Sequence, residues 1–161
     1  MFEKPVQDYY PEAIAICYGC GRLNPKGLHI KTHWDGEHGL CHFTPREEHT
    51  AFPGAVYGGL IASLIDCHSI GTAIAAFYTE TGRDPETDQS ITCVTGRLDI
   101  SYKTPTPTGA ELFLNAQIKE LGERKAIVVC TLSANDIERA SGEVVAVRIG
   151  SRDGVMGHHQ G

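Results

Sequence analysis

The longest apolar run in the chain extends from Phe52 to Tyr78, FPGAVYGGLIASLIDCHSIGTAIAAFY. From Val56 to Tyr78 only Asp66 carries a full charge, with His68 close by as a further ionisable group. As an unbroken helix this run would extend roughly 35 Å, about the diameter of a small domain. A membrane span needs about 20 apolar residues. That reading would hold Asp66 and His68 near the bilayer centre, at considerable cost. It also lacks a basic flank, because the preceding PREEHTAFPG has as many acids as bases. The pattern therefore predicts a core helix, apolar on every side because it is buried on every side.

Around this helix the period changes to two. Leu28, Ile30, Thr32 and Trp34 alternate with His29, Lys31 and His33, which predicts a half-buried strand. Asp35-Gly36-Glu37 forms a turn, and Leu40 to Phe43 returns as the second strand of a hairpin. Beyond the helix, residues 79–90 form a polar, turn-rich loop. Leu98, Ile100 and Tyr102 then mark a strand that begins as early as Ile91. A Pro-rich turn at 104–109 leads into alternation from Ala110 to Ile118. Gly122-Glu123-Arg124 turns the chain into a β-branched strand from Ala126 to Leu132. Residues 135–142 read as a polar connection, and Val144 to Ile149 as the last strand. A short helix is expected around Glu12 to Ile16, and the tail 151–161 is expected to be disordered. Two strands, a helix and four strands predict an α+β fold with an antiparallel sheet curved over the helix. All 161 residues form one domain in this reading, with 1–16 as an N-terminal extension. One sheet around one helix leaves edges and part of the helix uncovered, which predicts a homodimer.

The face of the helix that carries its charge is specific. Gly59 and Asp66 lie seven residues apart and so fall on nearly the same face, two turns apart. Ser63, Ile70, Ala73 and Phe77 are on or near it. A lone carboxylate in an apolar helix is costly to keep, so Asp66 is a candidate catalytic acid or base. His68 lies ~200° round the helix from Asp66 and reads as a core or interface histidine.

Charge and cysteine content narrow the setting. A net charge of −6 argues against a nucleic-acid binder relying on bulk attraction. The N-terminal MFEKPVQDYY has no apolar signal-peptide core. Six cysteines without such a signal imply free thiols and a cytoplasmic setting. Cys67, Cys93 and Cys130 read as small buried hydrophobes. Cys17 and Cys20 form a C-x-x-C pair, but a zinc site usually needs a second pair. His29 and His33 have roughly that spacing, yet fall on the predicted strand. No thioredoxin-like unit follows either. The pair therefore reads as part of a Gly- and Pro-punctuated loop, and no metal site is expected.

Three stretches together resemble a known family: EHTAFPGAVYGGLIASLID (48–66), CYGCGRLNPKGL (17–28) and DISYKTPTPTGAEL (99–112). The chain resembles the hotdog-fold acyl-CoA thioesterases, in the superfamily of the phenylacetate-pathway and 4-hydroxybenzoyl-CoA thioesterases, from roughly Cys17 to Gly150. The resemblance implies a hotdog fold and hydrolysis of an acyl-CoA to free acid and coenzyme A, with no metal or organic cofactor. It implies that Asp66 activates water or attacks the thioester carbonyl. Gly58 and Gly59 would supply an oxyanion-binding N–H at the helix start, and Thr95 would orient water. Oxyanion donor and carboxylate would come from opposite subunits of a homodimer, which in relatives often pairs into a dimer of dimers. Two positions depart from the pattern: Tyr57 stands where the family commonly has His, and His49 or Thr50 would replace an Asn or Gln of the preceding loop. Ser63, Ile61, Ile65, Ile70 and Phe77 are candidates for lining the substrate pocket. Arg97, Lys103, Arg124 and Lys125 are candidates for the coenzyme A phosphates. Hotdog dehydratases and hydratases, which pair a His with an acid, are the competing enzymes. A non-catalytic acyl-CoA-binding module is the third possibility.

Overall fold

The computed structural model describes residues 1–150. The tail expected to be disordered, 151–161, lies outside the described residues. The long apolar run is one unbroken helix, α1 (Gly58–Thr81). It ends at Gly82, whose left-handed backbone (φ 64°) closes the last turn onto the carbonyls of Tyr78 and Thr79. The helix is long and apolar enough to cross a bilayer, yet most of it is buried inside the fold. That burial is what a core helix requires.

Six strands cover it: β1 (His33–Trp34), β2 (His38–Phe43), β3 (Thr92–Tyr102), β4 (Leu112–Leu121), β5 (Lys125–Ala134) and β6 (Ile137–Ile149). They form one antiparallel sheet in the order β1-β2-β4-β5-β6-β3. Sequence alternation becomes burial. Leu112, Leu114 and Ala116 of β4, and Ala126, Val128, Cys130, Leu132 and Ala134 of β5, belong to the core. Glycine brings sheet and helix closest. A Cβ on Gly39 in β2 would overlap the Thr72 hydroxyl, and one on Gly142 in β6 would lie 2.6 Å from Ile65 Cγ2. One long helix held by a six-stranded antiparallel sheet is the arrangement expected of a hotdog fold.

The structure differs from the sequence pattern in three places. Leu28, Ile30 and Thr32 are buried and His29 is exposed, as alternation predicts. Only His33–Trp34 joins the sheet, however. The N–H groups of Leu28 and Ile30 donate instead to the carbonyls of Tyr18 and Gly19, and Thr32 accepts from Val6. His29 also has a positive φ of 55°, which breaks the extended run. Residues 135–142 are not a polar connection. Asn135 and Asp136, with φ of 54° and 60°, make a two-residue hairpin turn, and the rest begins β6. The expected helix near residue 12 is a 3-10 turn, Glu12–Ile14, preceded by another at Val6–Tyr9.

The N-terminal segment packs into the body of the fold. Val6 and Ala15 are fully buried. Gln7 donates to Thr32 Oγ1 (2.9 Å) and accepts from the Thr32 N–H (2.7 Å). Its amide sits against Gly71, where a Cβ would come within 2.6 Å of Nε2.

Candidate active site

The sheet covers most of α1 but not all of it. Ala62, Ser63, Asp66, Cys67 and Ile70 are only half-buried, a stripe at helical spacing. Against it lies the start of β3, and Thr95 Oγ1 donates to Asp66 Oδ1 at 2.6 Å. Between Thr95 and Arg97 the β3–β6 register shifts, so Gly96 forms a bulge. Such a bulge beside a site re-aims its neighbours. Burial pushes the Asp66 carboxyl above its ordinary range, while the Thr95 hydrogen bond opposes that shift.

 

The cavity lined by Asp66 and Thr95 has a volume of ≈ 360 Å³. Ile70, Ile74, Cys93 and Val94 make much of its wall apolar, and Tyr10, Ile14, Cys17 and Cys20 of the N-terminal segment close another side. Of the residues expected to line the pocket, Ile70 does so. Ile65 and Phe77 are fully buried in the core, and Ile61 lines a different cleft. Ser63 donates to the Gly59 carbonyl (2.8 Å), one turn back along the helix.

The helix start forms a second feature. Tyr57 is the N-cap residue, and no side chain caps this end. The N–H groups of Leu60 and Ile61 reach the Tyr57 carbonyl, while those of Gly58 and Gly59 meet no backbone acceptor among the described residues. The exposed Tyr57 ring lies over Gly59, where a Cβ would overlap it. Tyr102, at the end of β3, donates its hydroxyl to the Gly58 carbonyl (2.7 Å). Gly58, Tyr102 and Lys103 line a cleft of ≈ 310 Å³ here. Gly59 and Asp66 are two helical turns apart, roughly 10 Å along the axis. One thioester carbonyl therefore cannot meet both within a single chain.

The remaining candidates are spread out. His49 is buried against Phe43, accepts the Arg46 N–H at Nδ1 (2.9 Å), and its carbonyl accepts from Tyr57 (2.8 Å). Thr50 donates to the Glu47 carbonyl (2.7 Å). Both shape the loop that enters α1, and neither lines the Asp66 cavity. Arg97 pairs with Asp99 (2.6 Å) and Lys103 with Glu138 (2.7 Å). Arg124 lines a polar cleft with Arg83 and Arg148. The candidate cations are thus not gathered at one place. His68 faces away from Asp66. It is fully buried, with Nδ1 2.9 Å from Thr32 Oγ1 and Nε2 3.0 Å from the Gly39 carbonyl oxygen.

 

Tyr102 and the cysteine-lined wall of the cavity were not legible as site features, because contacts distant in sequence create them.

Residues 53–141 match the family described as Thioesterase superfamily. The chain belongs to the thioesterase superfamily. It is similar to a thioesterase superfamily protein from Shewanella loihica PV-4, with 43% identity, a TM-score of 0.66, and coverage of 89% of this chain and 99% of that one. Acyl-coenzyme A thioesterase THEM4 of Rattus norvegicus is 31% identical over 97 residues, which is 60% of this chain and 36% of the rat protein. The chain thus spans little more than a third of that relative's length. A Streptococcus mutans protein bound to acetyl CoA shares the fold, at 18% identity, a TM-score of 0.61, and coverage of 75% of this chain and 89% of that one. The architecture of this superfamily member is the hotdog fold.

Proposed function

We propose that the protein hydrolyses acyl-CoA thioesters to a free acid and coenzyme A, in sites completed across a homodimer. The observation that carries this reading is the Asp66–Thr95 hydrogen bond of 2.6 Å at an apolar cavity. The Asp66 carboxylate takes a proton from water as the water oxygen attacks the thioester carbon. The resulting oxyanion is held by the Gly59 N–H of the partner subunit, with the helix dipole adding to the attraction. Collapse breaks the C–S bond and releases the coenzyme A thiolate, which takes up a proton. The apolar wall accommodates the acyl group. The acyl-CoA thioesterase named among the relatives and the neighbour bound to acetyl CoA support coenzyme A as the carrier. A dehydratase would need a histidine beside the acid, and none lines this cavity among the described residues. Six free cysteines suit a cytoplasmic setting.

The test is release of free thiol from a panel of acyl-CoAs. Asp66→Asn keeps the shape and removes the base, and is expected to lower kcat by at least ~10²-fold. Equal rates in the variant and the wild type, or no cleavage of any acyl-CoA, would reject the reading.

A further inference from the structure

We propose that Cys17, Cys20 and Cys67 bind one Zn²⁺ through three thiolates, with the fourth position open to the Asp66 cavity. The C-x-x-C pair lacks a second pair in sequence, but the fold supplies a third sulfur from α1. The three Sγ atoms all lie within 4.8 Å of one another. Tetrahedral zinc with Zn–S near 2.3 Å sets sulfurs roughly 3.8 Å apart, so closure needs only small rotations of the side chains.

The surroundings suit a thiolate site. Gly21 N–H donates to the Cys17 carbonyl (2.8 Å), closing the turn that presents both cysteines. The Cys17 sulfur interacts with the Cys20 and Cys67 thiols and with the backbone N–H groups of Cys20 and Gly19. A Cβ on Gly19 would overlap the Cys67 sulfur, so glycine is what lets the turn approach the helix. Three soft ligands favour Zn²⁺ over the hard divalent cations. Cys17 is exposed, and all three cysteines line the cavity, which gives the ion a way in. Tyr10 lines the same cavity, and its buried hydroxyl has no hydrogen-bond partner among the described residues. A water on the fourth position of the metal would meet that need. The ion would join the N-terminal segment to the helix beside Asp66.

The test uses the full chain, reduced and stripped of metal, titrated anaerobically with Co²⁺ and then Zn²⁺. The expected result is one equivalent of Co²⁺ with a thiolate-to-metal charge-transfer band, displaced by Zn²⁺. Zn²⁺ should also protect these three cysteines from alkylation, read by peptide mass spectrometry. Cys17→Ser, at an exposed position, should weaken Zn²⁺ binding by more than ~100-fold while circular dichroism is unchanged. Cys130→Ala should bind as wild type does. The proposal is overturned if no charge-transfer band appears, or if the band survives Cys17→Ser. A Cys17–Cys20 disulfide in place of metal uptake also overturns it. None of these readouts depends on thioester cleavage, so this proposal and the hydrolase reading fail separately.

Discussion

Thr95 does one thing that no other residue near Asp66 does in the described structure: it donates directly to the carboxylate. A hydrogen bond to a charged group contributes about 1.5–3 kcal/mol. Thr95→Val removes the donor at nearly constant shape, and is expected to lower kcat roughly 10- to 100-fold. Thr95→Ser should recover most of that loss, since it restores the hydroxyl. Steady-state thiol release from the three proteins checks this, and a Val variant as fast as wild type would remove Thr95 from the mechanism. Asp66 was legible from its isolation in an apolar helix. Thr95 came only through family resemblance, because the Gly96 bulge that re-aims this stretch leaves no mark in the alternation. The cysteine cluster was illegible, since its third member sits 47 residues beyond Cys20 in sequence.

His68 belongs to the scale of elements, because it ties α1 to β2 and to the N-terminal segment through Gly39 and Thr32. Burial lowers its pKa from 6.5 to about 4. Below pH 6.5 the unfolded chain gains a proton that the folded chain refuses, so stability falls as pH drops toward 4. Below about 4 the folded state protonates too, and the loss levels off. Across that window this residue alone costs about 3 kcal/mol. Urea unfolding of the wild type and His68→Gln from pH 7 to 4 measures it, and the variant should show the shallower decline. Identical slopes would show that His68 is not the source. Helix and strands were readable here because their periods differ. The pairing partners were not: Leu28 to Thr32 alternate like a strand but bond to the N-terminal segment.

At the scale of the whole molecule, β3 is an edge strand, with Val94, Leu98 and Tyr102 exposed along it. A long edge with apolar side chains invites pairing with a second copy, and Gly59 and Asp66 are too far apart to share one carbonyl in one chain. A dimer is expected in sedimentation velocity. Leu98→Lys should shift it toward monomer and lower thiol release in parallel, whereas an active monomer would contradict the shared site. The sheet order carries a further consequence for how the chain is made. Among the described strands β3 holds Thr95 but hydrogen-bonds only to β6, the last of them in sequence. Every residue assigned to the hydrolytic chemistry has been synthesised once the chain reaches residue 95, yet the strand that fixes Thr95 in place is made some fifty residues later. A chain cut short before β6 would carry all of those residues and still lack the site.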